Sequence, residues 1–372
     1  MKIIIAPDKY KGSLSAEEVA NIIGGVIKQY VPDAGVIKFP MADGGEGTSA
    51  ILGKHFGAEK LNVAVHGPLM RMRMASYYYA SKKKEAYIEM AEASGLQLLS
   101  AAERNGLIAN TYGTGELIKD AIKRGASHII LCIGGSATND AGTAMANALE
   151  YIFQDVEGKA FIPNGETLSQ IATIIPPEIN YFNRVKVTVL TDVRNPLYGY
   201  EGAAYVYGPQ KGLSDEECEI VDRGFRHLAK LIKSDFGFSI DEQSGAGAAG
   251  GLGGGATFFL NAQLKEGANY ISKLLEIEKH VASADWVISG EGKLDSQSLE
   301  GKVVTEMYRL AQNFSKPLLL LVGKNDLGDL LKKQFLKTRI FSLTDVAGSE
   351  AEAMNQSELM LKQAVKQWVE SM

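Results

Sequence analysis

The residues of this chain whose types suit chemistry stand in short polar stretches, each following an apolar run. Asp8, Lys11 and Ser13 follow KIIIA at 2–6; Asp43, Gly44, Gly45 and Glu46 follow VIKF at 36–39. Gly134, Gly135, Ser136, Asn139 and Asp140 follow HIILCI at 128–133, Asp192 and Asn195 follow VKVTVL, and Gly290, Glu291, Gly292, Lys293 and Asp295 follow DWVIS. Glycines let backbone N–H groups approach an anion, carboxylates hold Mg2+ or take a proton, and lysines neutralise phosphate charge. This combination suits phosphoryl transfer. A tight turn also calls for glycine, so any one stretch alone is equally well explained by chain reversal. Recurrence favours chemistry, above all in PMADGGEGT, because a purely structural turn seldom carries both Asp43 and Glu46. Asp192 is a candidate whose pKa burial would raise, or which a bound cation would hold ionised, with a helix cap as the plain alternative. Asn139 and Asp140 likewise either contact a ligand or cap a helix.

The elements that position these residues read as strand, polar loop, helix, repeated along the chain; KPLLLLV before GKND and RIFSL before TDVAG extend the series. Such alternation predicts an α/β architecture with a mostly parallel sheet, whose ligands bind outside the carboxyl ends of the strands. Ser15-Ala-Glu-Glu18 has capping-box spacing and predicts a helix over about 16–30. Thr48 opens another to Phe56, and GELIKDAIKRG a third that stops at Gly125. Residues 61–93 alternate at period two around Gly67-Pro68 and Lys82–Lys84, as antiparallel hairpins do. Residues 153–184 are weakly periodic, and 198–212 read as irregular loop with a short strand. The expected organisation is therefore an inserted α+β domain at 61–260, with 1–60 and 261–372 forming one doubly wound domain. Two domains imply a cleft.

Composition narrows the partners. At 372 residues the chain exceeds one core of about 150 residues, and 45% hydrophobic with 22% charged residues is a globular balance. A net charge of −5, with no basic run longer than Lys82-Lys83-Lys84, argues against nucleic acid. Cys132 and Cys218 form no CxxC, and the five histidines are scattered, so neither a zinc site nor histidine chemistry is signalled. No apolar run reaches membrane-spanning length or signal-peptide form, and the expectation is a cytoplasmic protein, monomer or homodimer. Gly245-x-Gly247-x-x-Gly250 is formally a dinucleotide fingerprint, but it follows no convincing strand; GxxxxGK[ST], GxSxG and HExxH are absent.

In order, APDKYKGSLSA (6–16), PMADGGEGT (40–48), EMAEASGL (89–96), TYGTGELI (111–118), GGSATND (134–140), TDVRNPLYG (191–199), GPQKG (208–212), GAGAAGGLG (245–253) and GEGKLDSQSLEGK (290–302) resemble the bacterial glycerate kinases. The resemblance runs nearly the whole chain. It implies ATP- and Mg2+-dependent phosphorylation of D-glycerate in an interdomain cleft, with 2-phospho-D-glycerate the expected product, and a flavodoxin-like domain carrying an inserted α/β domain. On that basis Lys11 and Ser13, with Asp43, Gly44, Gly45 and Glu46, are expected to bind glycerate. Asp192 is expected to activate its hydroxyl, with Asp8 as rival. Gly134, Gly135, Ser136, Asn139, Gly290 and Gly292 would bind the nucleotide phosphates, Asp295, Glu291 or Asp43 the Mg2+, and Lys293 would stabilise the transferring phosphoryl group. A non-catalytic small-acid sensor, or a Mg2+-dependent phosphatase or phosphosugar isomerase, is the alternative. The chain departs from its relatives at Lys9, where Ser or Thr is usual, and at Ala141 and Thr143, where glycine is commoner.

Overall fold

The computed structural model describes residues 1–299, 302–327, 335 and 338–372. Positions 300 and 301 of the GEGKLDSQSLEGK motif lie outside the described residues. The strands are β1 Lys2–Ile5, β2 Gly35–Lys38, β3 Glu59–His66, β4 Met72–Ala80, β5 Glu85–Glu89, β6 His128–Cys132, β7 Ile152–Gln154, β8 Ala160–Phe161, β9 Thr173–Ile175, β10 Lys186–Thr191, β11 Gln263–Glu266, β12 Trp286–Leu294, β13 Leu318–Asn325 and β14 Thr338–Ser342. The helices used below are α1 Ala16–Tyr30, α2 Thr48–His55, α3 Tyr112–Lys123, α4 Thr143–Ala148, α5 Asp215–Phe236, α6 Leu252–Phe259, α7 Val303–Asn313 and α8 Ser357–Glu370. Among the described residues, no helix is long and apolar enough to cross a membrane.

Two compact units divide the chain: unit 1 comprises Met1–Asp43 with Glu266–Met372, and unit 2 is Gly44–Lys265. Unit 1 is built on a five-stranded sheet in the order β14-β13-β12-β1-β2, parallel throughout. The inner strands β1 and β13 carry continuous apolar runs because both faces are covered, whereas the edge strands β2 and β14 are partly exposed. Ile3, Ile5, Ile288, Leu319 and Leu321 join one core with α1 and α8, which includes Trp368; Ile4, Val287, Leu318 and Leu320 are equally buried outside that core, as the period-two alternation of a strand requires. The capping box at Ser15 and Glu18 opens α1 where its spacing predicts.

Unit 2 holds a six-stranded sheet ordered β11-β10-β6-β5-β4-β3. Its β10-β6-β5 part is parallel, and β5-β4-β3 forms the two antiparallel hairpins that the alternation around Gly67-Pro68 and Lys82–Lys84 predicts. The weakly periodic stretch at 153–184 contains a small β8-β7-β9 sheet. Helix α2 packs on β4 and β5, so it belongs with unit 2 rather than with the segment drawn to residue 60 from sequence.

Two local expectations are corrected. Within 198–212 the chain forms a helix at Ala203–Tyr207, not a strand, because Ala203 and Ala204 bury their methyls and the turn packs on α5. Gly290 to Lys293 lie within β12, not in a loop beyond it: β12 continues pairing with β13 as far as Leu294 and Asn325, long after β1 has ended at Ile5.

The glycine run of residues 244–260 is a packing device. A Cβ on Gly255 would stand 1.8 Å from the Ala141 carbonyl oxygen, so α6 lies directly on the start of α4. Gly255→Ala is therefore expected to destabilise unit 2 by about 1–3 kcal/mol. Gly25 on α1 is exposed, and a Cβ there would meet nothing within 4 Å, so Gly25→Ala is expected to stabilise unit 1 by about 0.5–1 kcal/mol through helix propensity alone. Urea midpoints of the two variants should move in opposite directions; equal shifts would remove the packing argument.

Candidate active site

In unit 1 the strand order reverses between β1 and β12, the point at which open parallel sheets bind ligands. Asp8 follows β1, and its N–H donates to the Gly290 carbonyl at 2.9 Å, extending the ladder over β12. The approach is close, for a Cβ on Gly292 would stand 3.1 Å from the Lys11 backbone nitrogen. Tyr10 pins the loop by donating its phenol to the Leu321 carbonyl at 2.8 Å, and burial together with the charge of Glu291 pushes that phenol's pKa up.

Asp8 is 9% and Glu291 6% exposed. Burial, then the charge of Asp43, pushes Asp8 up to about 8; the Lys9 N–H, donated to Asp8 Oδ1 at 2.7 Å, and the Lys9 ammonium act the other way. Burial likewise raises Glu291 to about 7 against a hydrogen bond from Ser298 and the charge of Lys302. Glu291 Oε1 is buried and has no hydrogen-bond partner. The charges of Asp8, which follows β1, of Asp43, in the loop after β2, and of Glu291, within β12, thus repel one another. Among the described residues no three His, Cys, Asp or Glu side chains converge as a complete metal cage. Mg2+ ordinarily takes only one or two carboxylates with waters and phosphate oxygens, and an orphaned buried carboxylate oxygen is a donor of the right hardness for it.

The remaining unit 1 candidates are more exposed. Lys11 is exposed on the turn after Tyr10, and the Ser13 hydroxyl is hydrogen-bonded to that of Ser357 at the start of α8. Lys293 lies between Asp326 (3.2 Å) and Asp295 (3.4 Å), which hold its ammonium charged. Lys324, paired in register with Lys293, meets the same Asp326 at 3.5 Å and Glu350 at 2.9 Å. Lys324 and Asp326 are not among the candidates read from sequence, although GKND closes an apolar run as the other stretches do.

In unit 2 the loops after β6 and β10 lie beside the start of α2. The Gly134 N–H donates to the Gly44 carbonyl at 3.4 Å, and a Cβ on Gly134 would stand 2.7 Å from Gly45 Cα. Helix α2 has no capping side chain of its own: left-handed Gly47 precedes it, and Glu89 at the end of β5 accepts from the Ser49 N–H at 2.8 Å and from Gly47. Burial raises the pKa of Glu89 against those donors. This role was not assigned from sequence; EMAEASGL was its only signal. Glu46 is exposed in the same loop, and Asp192 is half-buried just beyond β10.

Asn139 and Asp140 serve the shape of their loop. Asp140, completely buried, accepts from the Thr111 N–H (2.9 Å) and hydroxyl (2.7 Å) and from the N–H groups of Gly142 and Ala144 at the start of α4. Asn139 donates to the Gly106 carbonyl at 3.1 Å and accepts from the Lys211 ammonium at 3.2 Å. The edge of the loop is held by Leu96 N–H to Gly135 O (2.8 Å), leaving Ser136 8% exposed.

Parallel strands with carboxylates and glycine-lined turns at their ends are the setting of a transferase that handles phosphate, and similarity to known proteins agrees. Residues 3–372 match the family model of the glycerate kinase family. The chain is 42% identical to Glycerate 2-kinase of Escherichia coli K12 over 328 residues, covering 87% of this chain and 85% of that one. It is 41% identical to Glycerate kinase of Haemophilus influenzae over 324 residues, covering 87% and 86%. A solved structure assigned to glycerate kinase 2 of Salmonella typhimurium LT2 superposes with a TM-score of 0.83 at 36% identity, covering 99% and 98% of the two chains. The chain belongs to the glycerate kinase family, and is an enzyme of the kinase class.

The carboxylate cluster makes stability depend on pH. Asp8 and Glu291 keep protons in the folded protein that the unfolded chain loses near pH 4, so the native state binds more protons between about pH 4 and pH 8 and stability falls as pH rises through that window. Asp8→Asn is expected to raise the urea midpoint relative to wild type more at pH 8 than at pH 5. An equal gain at both pH values would remove Asp8 as the source.

Proposed function

We propose that the chain phosphorylates D-glycerate with ATP and Mg2+, giving 2-phospho-D-glycerate. The observation that carries this reading is the buried Glu291, one oxygen unpartnered, coupled to Asp8 and Asp43 at the switch point of a parallel sheet. Counted along unit 1, its strands run in the order 2-1-3-4-5, which supports describing it as a flavodoxin-like doubly wound domain with unit 2 inserted.

Glycerate offers a carboxylate, which needs donors, and a hydroxyl, which needs an acceptor for its proton. Lys11 and Ser13 with the Asp43–Glu46 loop supply the donors and acceptors for the acid. Asp192 takes the proton of the attacking hydroxyl; Asp8, with its pKa near the operating range, is the rival base. The backbone N–H groups around Gly134, Gly135 and Ser136 are the donors for the nucleotide phosphates, while Asn139 contributes through the loop's shape; Gly290 and Gly292, held in β12, contribute to the nucleotide site only by letting the neighbouring chain pack closely. Lys293 offsets charge on the transferring phosphoryl group. Glu291, Asp43 and Asp295 are the groups that would hold Mg2+, which when bound neutralises charge on the phosphate oxygens.

ADP formation that requires both D-glycerate and Mg2+ is the expected result, and phosphate release without ATP would reject the reading. Direct coupling to enolase should consume the product, whereas dependence on added phosphoglycerate mutase would make it the 3-isomer. Asp192→Asn is expected to lower kcat by about 100-fold or more at an unchanged denaturation midpoint. Near-normal turnover in that variant would pass the role to Asp8.

A further inference from the structure

Lys211 is the one lysine among the described residues that is buried, at 2% exposure. It sits in the GPQKG turn, where a one-turn helix at Pro209–Lys211 ends at left-handed Gly212. A Cβ on Gly212 would stand 2.6 Å from the Arg104 carbonyl oxygen, so the turn is seated against the chain around Arg104. Taking an ammonium out of water is costly, and an apolar side chain would fill the same space more cheaply. Burial pushes the Lys211 pKa down to about 7, with the charge of Asp140 opposing.

The ammonium donates twice to the GGSATND loop, to the Thr138 carbonyl at 2.7 Å and to Asn139 Oδ1 at 3.2 Å. Gly250 backs the same peptide. A Cβ there would stand 1.8 Å from the Thr138 carbonyl oxygen, and the Gly250 carbonyl accepts from the Ala141 N–H at 3.0 Å. Asp140 and Asn139 then tie the loop to Thr111 and Gly106. Every polar tie in this set lies on one side of the loop, at Thr138–Ala141, two residues and more beyond the Gly134–Ser136 turn.

We propose that Lys211 is a positioning residue for nucleotide binding: by fixing the Thr138–Asn139 segment it holds the Gly134–Ser136 turn in the conformation that receives phosphate. This rests on the reading, made above, that the turn binds the nucleotide. A preorganised turn spares the ligand the entropy of ordering it, so loosening it weakens ATP binding more than it slows chemistry.

The test is steady-state kinetics and thermal midpoints of the full chain carrying Lys211→Met, which keeps the length of the side chain and removes the ammonium. The KM for ATP is expected to rise about 10- to 100-fold, with kcat and the KM for glycerate changing far less. Ile232→Ala, a cavity in the α5 core, is the control for destabilisation alone and should leave KM for ATP unchanged at a comparable drop in midpoint. Ser136→Ala reads the turn directly. A KM for ATP that moves in Ser136→Ala but not in Lys211→Met overturns the positioning role and leaves the nucleotide reading standing. A rise confined to the KM for glycerate in both variants overturns the nucleotide reading instead. Should Lys211→Met not fold, Lys211→Leu, which likewise removes both donated bonds, carries the same readout; failure of both to fold makes Lys211 a folding requirement and overturns the proposal.

Discussion

Two carboxyl groups buried on neighbouring strands, Asp8 just beyond β1 and Glu291 within β12, impose a constraint on unit 1 that the surrounding chain has to meet. Asp8 follows β1 and Glu291 lies within the adjacent parallel strand β12, each nine-tenths hidden from water; Glu291 raises the pKa of Asp8, and Asp43 raises both. Like charges in low dielectric cannot all ionise cheaply. Such a site holds protons or a cation, and its free energy changes with either. The surrounding structure supplies the confinement: the Tyr10 phenol fastened to β13, the Asp8 N–H fastened to β12, and glycines in β12 that admit the loop.

Unit 2 meets the same problem in the opposite way. Asp140 and Lys211 are both buried, but of opposite sign, and each spends its polar atoms on neighbouring backbone and side chains. Such a network gives little net stability over an apolar replacement, yet leaving one partner alone is expensive, so it strongly favours a single geometry. In the acidic cluster one oxygen, Glu291 Oε1, has no hydrogen-bond partner, whereas the mixed one ties neighbouring segments together. Each unit therefore carries a buried charge cluster, like-signed in unit 1 and of mixed sign in unit 2.

Legibility in the sequence follows the same divide. The apolar runs, the capping box at Ser15 and the hairpins at 61–93 were readable because period and turn chemistry are local. Gly290–Lys293 read as loop, since Gly-Glu-Gly-Lys has poor strand propensity; β13 holds it in the ladder, and only the tertiary pairing reveals that. Asp8, Asp43 and Glu291 were legible as candidates because carboxylates at strand ends are conspicuous. Glu89 and Lys211 were not, because a glutamate or lysine in isolation reads as surface, and only the fold shows that each side chain points inward to donors or acceptors far away in sequence.

Ala141 shows how a strained residue is absorbed by its surroundings. Its φ is +50, in the left-handed region where a β-carbon costs about 1–2 kcal/mol and glycine costs nothing. Here the alanine is completely buried and its N–H is held by the Gly250 carbonyl. The space for its methyl comes from across the contact: Gly251 places no side chain where its own Cβ would lie 3.0 Å from that of Ala141, and Gly255 leaves the Ala141 carbonyl uncovered. The strain at one residue is thus tolerated because the glycine run opposite yields the volume. Those glycines, which superficially resemble a dinucleotide fingerprint, are required by the backbone they press against.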